Sequence, residues 1–123
     1  MIKYYNEEMK TINPMIEYLE EKEYKEKIKV FQKMRMSDEE MKQTFSINPF
    51  ILTMSNDDIY QICAKLKEVG IFDIAEVIYR NPQILNLIPI DIDKYIERKM
   101  KETSMSKEEI INDFEENPSD IND

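Results

Sequence analysis

Apolar residues recur along this chain at the spacing of one face of an α-helix. In residues 59 to 69, Ile59, Ile62, Cys63, Leu66 and Val69 follow one another at steps of 3, 1, 3 and 3. Alternating runs of Val, Ile and Thr are scarce and there is one glycine, which argues against a sheet. The pattern therefore predicts helices throughout. The other stripes are Ile92, Tyr95, Ile96 and Met100; Met41 and Phe45; Ile74, Val77 and Ile78; and Ile110, Ile111 and Phe114.

Helix-capping residues stand beside these stripes. In a capping box a Ser hydroxyl accepts from the amide three residues on, and an acidic side chain bonds back to the Ser amide. The spacing predicts such caps at Ser37 with Glu40, Ser55 with Asp58 and Ser106 with Glu109, with Asp91 or Asp93 in the equivalent place before another helix. Gly70 is placed to end a helix in the left-handed conformation that glycine adopts readily.

Four of the five prolines follow an asparagine, and these pairs are regularly spaced. Asn13-Pro14, Asn48-Pro49, Asn81-Pro82 and Asn117-Pro118 are separated by 35, 33 and 36 residues, a period typical of a helical repeat. The segments before two of them align without a gap, as MSDEEMKQTFSINP (36 to 49) and MSKEEIINDFEENP (105 to 118). Proline disfavours helical geometry in the residue before it, so each pair should end a helix. Apolar residues after it should fill the seam between units: Phe50, Ile51 and Leu52, and then Ile84, Leu85 and Leu87.

The predicted fold is all-α, a short α-solenoid of about three helical repeats of about 35 residues, each ending at an Asn-Pro. One helical-repeat domain should span residues 1–116, with units at about 13–47, 48–80 and 81–116. Residues 117–123 should form an acidic tail or an incomplete cap.

The charge is unevenly distributed. Of the net charge of −9, most lies near the C-terminus, where residues 108 to 123 include seven acids and no Lys or Arg. Such a segment repels nucleic acid and either stays solvated or binds something basic. One cysteine cannot form an intramolecular disulfide, and no apolar run approaches the ~18 residues of a membrane span. A cytoplasmic protein with no membrane association is predicted.

The repeat resembles that of the mitochondrial transcription termination factor (mTERF) family. MSDEEMKQTFSINPFILTMSNDDIYQICAKLKEVGI (36 to 71) looks like one full turn of the family's pattern, and residues 71 to 105 look like another. The resemblance implies two helices and a short helical turn per repeat. It also implies a curved α-solenoid that grips double-stranded DNA or RNA through basic residues. This chain is short and acidic where members of the family are long and basic.

One helix has basic residues suited to that function. Lys22, Lys25, Lys29 and Lys33 recur at steps of 3, 4 and 4, which places them along one side of a helix, and Tyr24, Ile28 and Phe31 fall on the other side. The four lysines, called the lysine ridge below, could neutralise several phosphates in a salt-sensitive complex. Glutamates lie between them, and no cluster of aromatic residues joins them in the sequence to stack bases, so a solvated amphipathic face is the alternative.

Catalytic residues are scarce. There is no histidine, one glycine cannot make a phosphate-binding loop, and Cys63 falls on an apolar face, where a thiol is usually a small buried hydrophobe. The acids Asp57, Asp58, Asp91 and Asp93 could bind Mg²⁺, but helix capping explains their positions. We therefore predict no enzyme activity, no cofactor and no metal site.

Two functions remain. The first is a small acidic adaptor or inhibitor that binds another protein, of a mobile-element or phage type. It would engage a basic, nucleic-acid-binding partner by charge mimicry through Glu108, Glu109, Asp113, Glu115 and Glu116. The alternative is an mTERF-like module that binds nucleic acid through the lysine ridge. The small size and acidity favour the first, and the sequence leaves a monomer and a homodimer equally open.

Overall fold

Six α-helices and three 3-10 helices make up residues 21–122, the part of the chain that the computed structural model describes. The α-helices are α1 (Glu21–Lys33), α2 (Asp38–Ile47), α3 (Asn56–Val69), α4 (Ile74–Arg80), α5 (Pro89–Thr103) and α6 (Lys107–Glu116). The 3-10 helices are η1 (Pro49–Thr53), η2 (Pro82–Asn86) and η3 (Pro118–Asn122). The described residues contain no strand, which confirms the all-α prediction. Asn13-Pro14 and Asp123 lie outside the described residues.

Elements follow one another in a fixed order of short helix, 3-10 helix and long helix. Helices α2, α4 and α6 are the short ones, and α1, α3 and α5 are the long ones. Elements of the same kind meet across the repeat: α2 contacts α4, α3 contacts α5 and η2 contacts η3. This like-on-like stacking is how a helical repeat protein buries faces that no single unit could bury alone.

The serine caps form as predicted at the starts of the short helices α2 and α6. The Ser37 hydroxyl accepts from the Glu40 amide at 3.1 Å, and the Glu40 carboxylate accepts from the Ser37 amide at 2.9 Å. Ser106 and Glu109 form the same reciprocal pair.

The caps of the long helices are only partly as predicted. Ser55 accepts from the Asp58 amide at 3.1 Å, but the Asp58 carboxylate does not bond back to the Ser55 amide. Helix α5 begins at Pro89 after Ile88, which has no side-chain acceptor, and Asp91 accepts from the Ile88 amide at 3.0 Å. Asp93 does not cap a helix and instead pairs with Lys65 at 3.0 Å.

Each long helix ends in a residue with left-handed backbone geometry. These residues are Arg35 (φ 68°), Gly70 (φ 108°) and Ser104 (φ 60°), which stand 35 and 34 residues apart. The prediction for Gly70 is confirmed, and its amide bonds to the carbonyls of Leu66 and Lys67. Arg35 and Ser104 occupy the same place without the conformational freedom of glycine.

One continuous hydrophobic core runs from Tyr24 in α1 to Phe114 in α6. At its N-terminal end the ring of Phe45 meets those of Tyr24 and Phe31, with centroids 6.5 and 5.2 Å away. At the other end the rings of Tyr95 and Phe114 lie 5.7 Å apart. Residues of every predicted stripe are buried here, including Met41, Ile59, Ile62, Leu66, Val77, Ile78, Ile92, Ile96, Ile110 and Ile111.

Some residues of the predicted apolar stripes and seams are less buried than the others, and Cys63 and Ile74 are only partly buried. Phe50 is 62% exposed and Met100 is 42% exposed, because each points away from the seam that its neighbours fill. Leu87 is half-buried at the end of η2. Ile51, Leu52, Ile84 and Leu85 do fill the seams as predicted.

The asparagine of the Asn-Pro pair joins one repeat to the next. The Asn48 side-chain amide donates to the Pro82 carbonyl at 2.9 Å and to the Asn86 side-chain oxygen at 3.0 Å. We call this arrangement an asparagine joint. Because Asn48 is fully buried, the joint is shielded from competing water.

The second asparagine joint repeats the first. Asn81 donates to the Pro118 carbonyl at 2.9 Å and to the Asn122 side-chain oxygen at 2.7 Å. The third asparagine, Asn117, is exposed and caps α6 through its backbone only. Sequence reasoning attributed the turn to proline and missed the role of the asparagine side chain.

Candidate functional site

The lysine ridge lies on the solvent side of α1. Lys22, Lys29 and Lys33 are exposed and Lys25 is partly buried, while Tyr24, Ile28 and Phe31 on the opposite side are within the core, as the sequence predicted. At 1.5 Å per residue the ridge extends over roughly 16 Å. Burial of the apolar side fixes the rotation of α1, and that rotation directs these lysines to one side of the protein.

A fifth lysine on the same helix has a structural role. Lys27 is 6% exposed, and its ammonium group donates to the Met54 carbonyl and, at 2.8 Å, to the Asn56 side-chain oxygen. Burial lowers the pKa of Lys27, and the charge of nearby Glu23 partly opposes that shift. Lys27 therefore anchors α1 to the start of α3 and keeps the ridge in place.

The ridge ends at a cleft of about 520 Å³ between two loops. We call it the loop-end cleft, since it lies where α1 and α3 end and where α2 and α4 begin. Its lining includes the cationic side chains of Lys33 and Arg35 and the aromatic ring of Phe72. The full lining is Lys33, Met34, Arg35, Glu40, Cys63, Phe72, Asp73, Ile74, Ala75 and Glu76.

Phe72 is the feature that sequence reasoning missed. Its side chain is 95% exposed, which is unusual for so large an apolar group. The available signal was its place between the helix end at Gly70 and the cap at Asp73, where no helical face could bury it. An exposed aromatic residue does therefore accompany one of the lysines.

The acidic candidates are at the far end of the described array. Glu108, Asp113 and Glu116 are exposed on α6. Glu109 is committed to the cap with Ser106. The carbonyls of Glu115 and Glu116 accept from Arg80 at 2.9 and 2.6 Å, which attaches the end of α6 to the preceding repeat.

The residues considered for chemistry lie at helix starts, in an ion pair or beside the core. Cys63 is largely buried, and burial raises its pKa from about 9 to about 11, so its thiol stays protonated at neutral pH. Asp58 and Asp91 lie at helix starts, and Asp93 pairs with Lys65. Within residues 21–122 no group of three or more metal-ligating side chains is brought together.

None of the helices in the described region is long and apolar enough to span a bilayer. A search of curated proteins and a search of solved structures each found no match for this chain. The family model for mTERF matches residues 8–116, which is most of the sequence and includes α1, both asparagines that form joints and the loop-end cleft. The two-helix repeat, with a 3-10 turn at each of the three Asn-Pro pairs that the structure describes, agrees with that match, and the chain belongs to the mTERF family.

Proposed function

We propose that this protein is a helical-repeat module that binds nucleic acid through the lysine ridge of α1. The observation that carries the proposal is the placement of Lys22, Lys25, Lys29 and Lys33 along one side of a helix whose other side is fixed in the core. Proteins of the mTERF family typically bind nucleic acid, which supports the same function.

Charge is distributed in a way that permits this function in an acidic protein. Helix α1 carries five lysines and three glutamates, whereas α6 carries one lysine and five acids. Helix α1 therefore carries a net charge of +2 even though the net charge of the protein is −9. At short range the local charges dominate, because salt screens interactions beyond about 8 Å at physiological ionic strength.

The expected binding is of modest affinity and strongly salt-dependent. Each phosphate that a lysine neutralises releases counterions, with a slope of log affinity against log salt of about −0.9 per contact on a duplex and about −0.7 on a single strand. Four contacts would give a slope of roughly −3 to −4. The acidic remainder of the protein adds repulsion, so binding should be measurable mainly at low salt.

The test compares two double variants of equal net charge by fluorescence anisotropy. Lys22→Glu/Lys29→Glu reverses two exposed residues of the ridge, and Lys94→Glu/Lys101→Glu reverses two exposed residues of α5. The ridge variant should lose at least ~10-fold in affinity and about two units of salt slope, while the control should lose far less. Circular dichroism melts would show that both variants fold.

Two results would rule out the proposal. One is a wild-type protein that binds neither duplex nor single strand at low salt. The other is an equal loss in both double variants, since that would mean general repulsion and no localised interface. Family membership favours this function over the adaptor or inhibitor that the composition suggested first, and the comparisons give no support to that adaptor.

A further inference from the structure

The backbone on both sides of Phe72 is anchored to the fold. On one side Gly70 ends α3, and the Ile71 amide bonds to the Leu66 carbonyl at 2.9 Å with the Ile71 side chain buried. On the other side Asp73 caps α4 by accepting from the Glu76 amide at 3.1 Å. A 95% exposed ring on a backbone held by two such anchors is available to pack against something outside the protein.

Two cations line the same cleft as that ring. Lys33 is the last residue of the lysine ridge, and Arg35 follows in a left-handed conformation with φ 68°. The equivalent residues of the other repeats are Gly70 and Ser104, and an arginine here bears a backbone cost that glycine would avoid. The Arg35 side chain is exposed, so its guanidinium is accessible to a ligand in the cleft.

We propose that the loop-end cleft binds one unpaired nucleotide of a single strand, with its base stacked on Phe72 and its phosphate held by Lys33 and Arg35. The proposal rests on the proposed function and makes it more specific. Aromatic side chains stack on bases of any sequence, and a guanidinium makes paired hydrogen bonds to phosphate oxygens. A base inside a duplex has no free face for Phe72, so the module should prefer single strands.

Carboxylates in the same cleft determine the orientation of the nucleotide. Glu40 accepts from the Ser37 amide and Asp73 from the Glu76 amide, so both are committed to helix caps. With Glu76 they stand at the starts of α2 and α4. Repulsion from these carboxylates assigns the phosphate to Lys33 and Arg35, and Lys33 is also the last lysine of the ridge.

A tryptophan at position 72 gives a direct readout, because the chain has no tryptophan of its own. Stacking should quench the fluorescence of F72W when a single-stranded oligonucleotide is added, and a duplex of the same sequence should quench it much less. F50W is the matched control, since Phe50 is 62% exposed and lies outside the cleft. Neither substitution removes a buried group, so both proteins should fold.

Affinity measurements with F72A and F50A complete the test. F72A should weaken single-strand binding by roughly 5- to 100-fold, the effect of losing one stacked base, and leave duplex binding unchanged. F50A should bind both as the wild type does. The Lys22→Glu/Lys29→Glu variant should weaken both.

The outcomes separate this proposal from the proposed function. If F72A binds single strands as tightly as the wild type while the ridge variant loses binding, the stacking site is wrong and the proposed function stands. If F72W emission shifts with protein concentration alone, a second copy covers the ring, and the nucleotide assignment is wrong. If the wild type binds no nucleic acid at low salt, both proposals fail.

Discussion

The side-chain amide of Asn81 lies 2.9 Å from the carbonyl oxygen of Pro118, and the side-chain amide of Asn48 lies at the same distance from the carbonyl of Pro82. In each case the asparagine of one Asn-Pro pair binds the proline of the next. The dipeptide thus ends a short helix through its proline and fastens the following repeat through its asparagine.

Replacing Asn81 with alanine should destabilise the protein by roughly 1 to 3 kcal/mol, because it removes two hydrogen bonds and leaves the Pro118 carbonyl and the Asn122 amide oxygen without their donor. Asn117→Ala is the matched control, since the same dipeptide there has an exposed side chain. It should change the unfolding free energy by less than about 0.5 kcal/mol. Urea unfolding followed by circular dichroism measures both. Equal losses would mean that the joint contributes nothing.

The seam residues should matter more than the proline they follow. Pro82→Ala should cost about 1 kcal/mol, because the turn is also held by the Asn81 joint. Leu85 is 1% exposed, so Leu85→Asp would bury a carboxylate without a partner and should cost more than about 4 kcal/mol or abolish folding. Similar stabilities for the two variants would contradict this order.

The left-handed helix ends should respond to substitution in opposite directions. Gly70→Ala should cost about 1 kcal/mol, and the cost is one of backbone conformation alone, since a Cβ there would meet nothing within 4 Å. Ser104→Gly relieves the same strain at φ 60° and should stabilise by up to about 1 kcal/mol. Thermal melts of the two variants should move in opposite directions, and a lower melting temperature for Ser104→Gly would show that its hydroxyl has a role of its own.

Burial of Cys63 should make stability fall in alkaline solution. Its pKa is raised from about 9 to about 11, so the unfolded chain loses the thiol proton first, and the stability present below pH 9 is lost as the pH rises to 11. The unfolding free energy of the wild type minus that of Cys63→Ala should therefore drop by about 2 to 3 kcal/mol over this interval. Subtracting the variant removes the contributions of other titrating groups. Parallel profiles would mean that the thiol is accessible to water when folded.

Helix type, capping and most of the core could be predicted from the sequence, because they depend on residues a few positions apart. Ser37 with Glu40 and the stripe from Ile59 to Val69 are local patterns of this kind, and both formed as expected. Burial was predicted wrongly for Phe50 and Met100. Their positions along the chain allowed burial, but burial also requires that a neighbouring repeat contacts the side chain, which local spacing does not show.

The site was less predictable than the fold. The lysine ridge could be read from spacing within one helix, but the cleft at its end brings together Lys33 and Phe72, which are 39 residues apart. Lys27 is a further example. Its sequence position suggests an exposed lysine, and its role as an anchor depends on its hydrogen bond to Asn56 in the folded protein. The asparagine joints were not predicted, because each asparagine bonds to residues that lie a full repeat away in the sequence.

The asparagine joints also bear on how such an array could change its length. A joint needs only an asparagine at the end of one short helix and a 3-10 helix in the next unit. The spacings of 33 and 36 residues show that it tolerates short helices of different length, since α4 has 7 residues and α6 has 10. Residues 81–116 hold a donor in Asn81 and acceptors in Pro82 and Asn86. Tandem duplication of that segment would place a matched donor and acceptor on both sides of the new unit. The gene could thus lengthen the protein by one repeat in a single event, with no new contact to evolve.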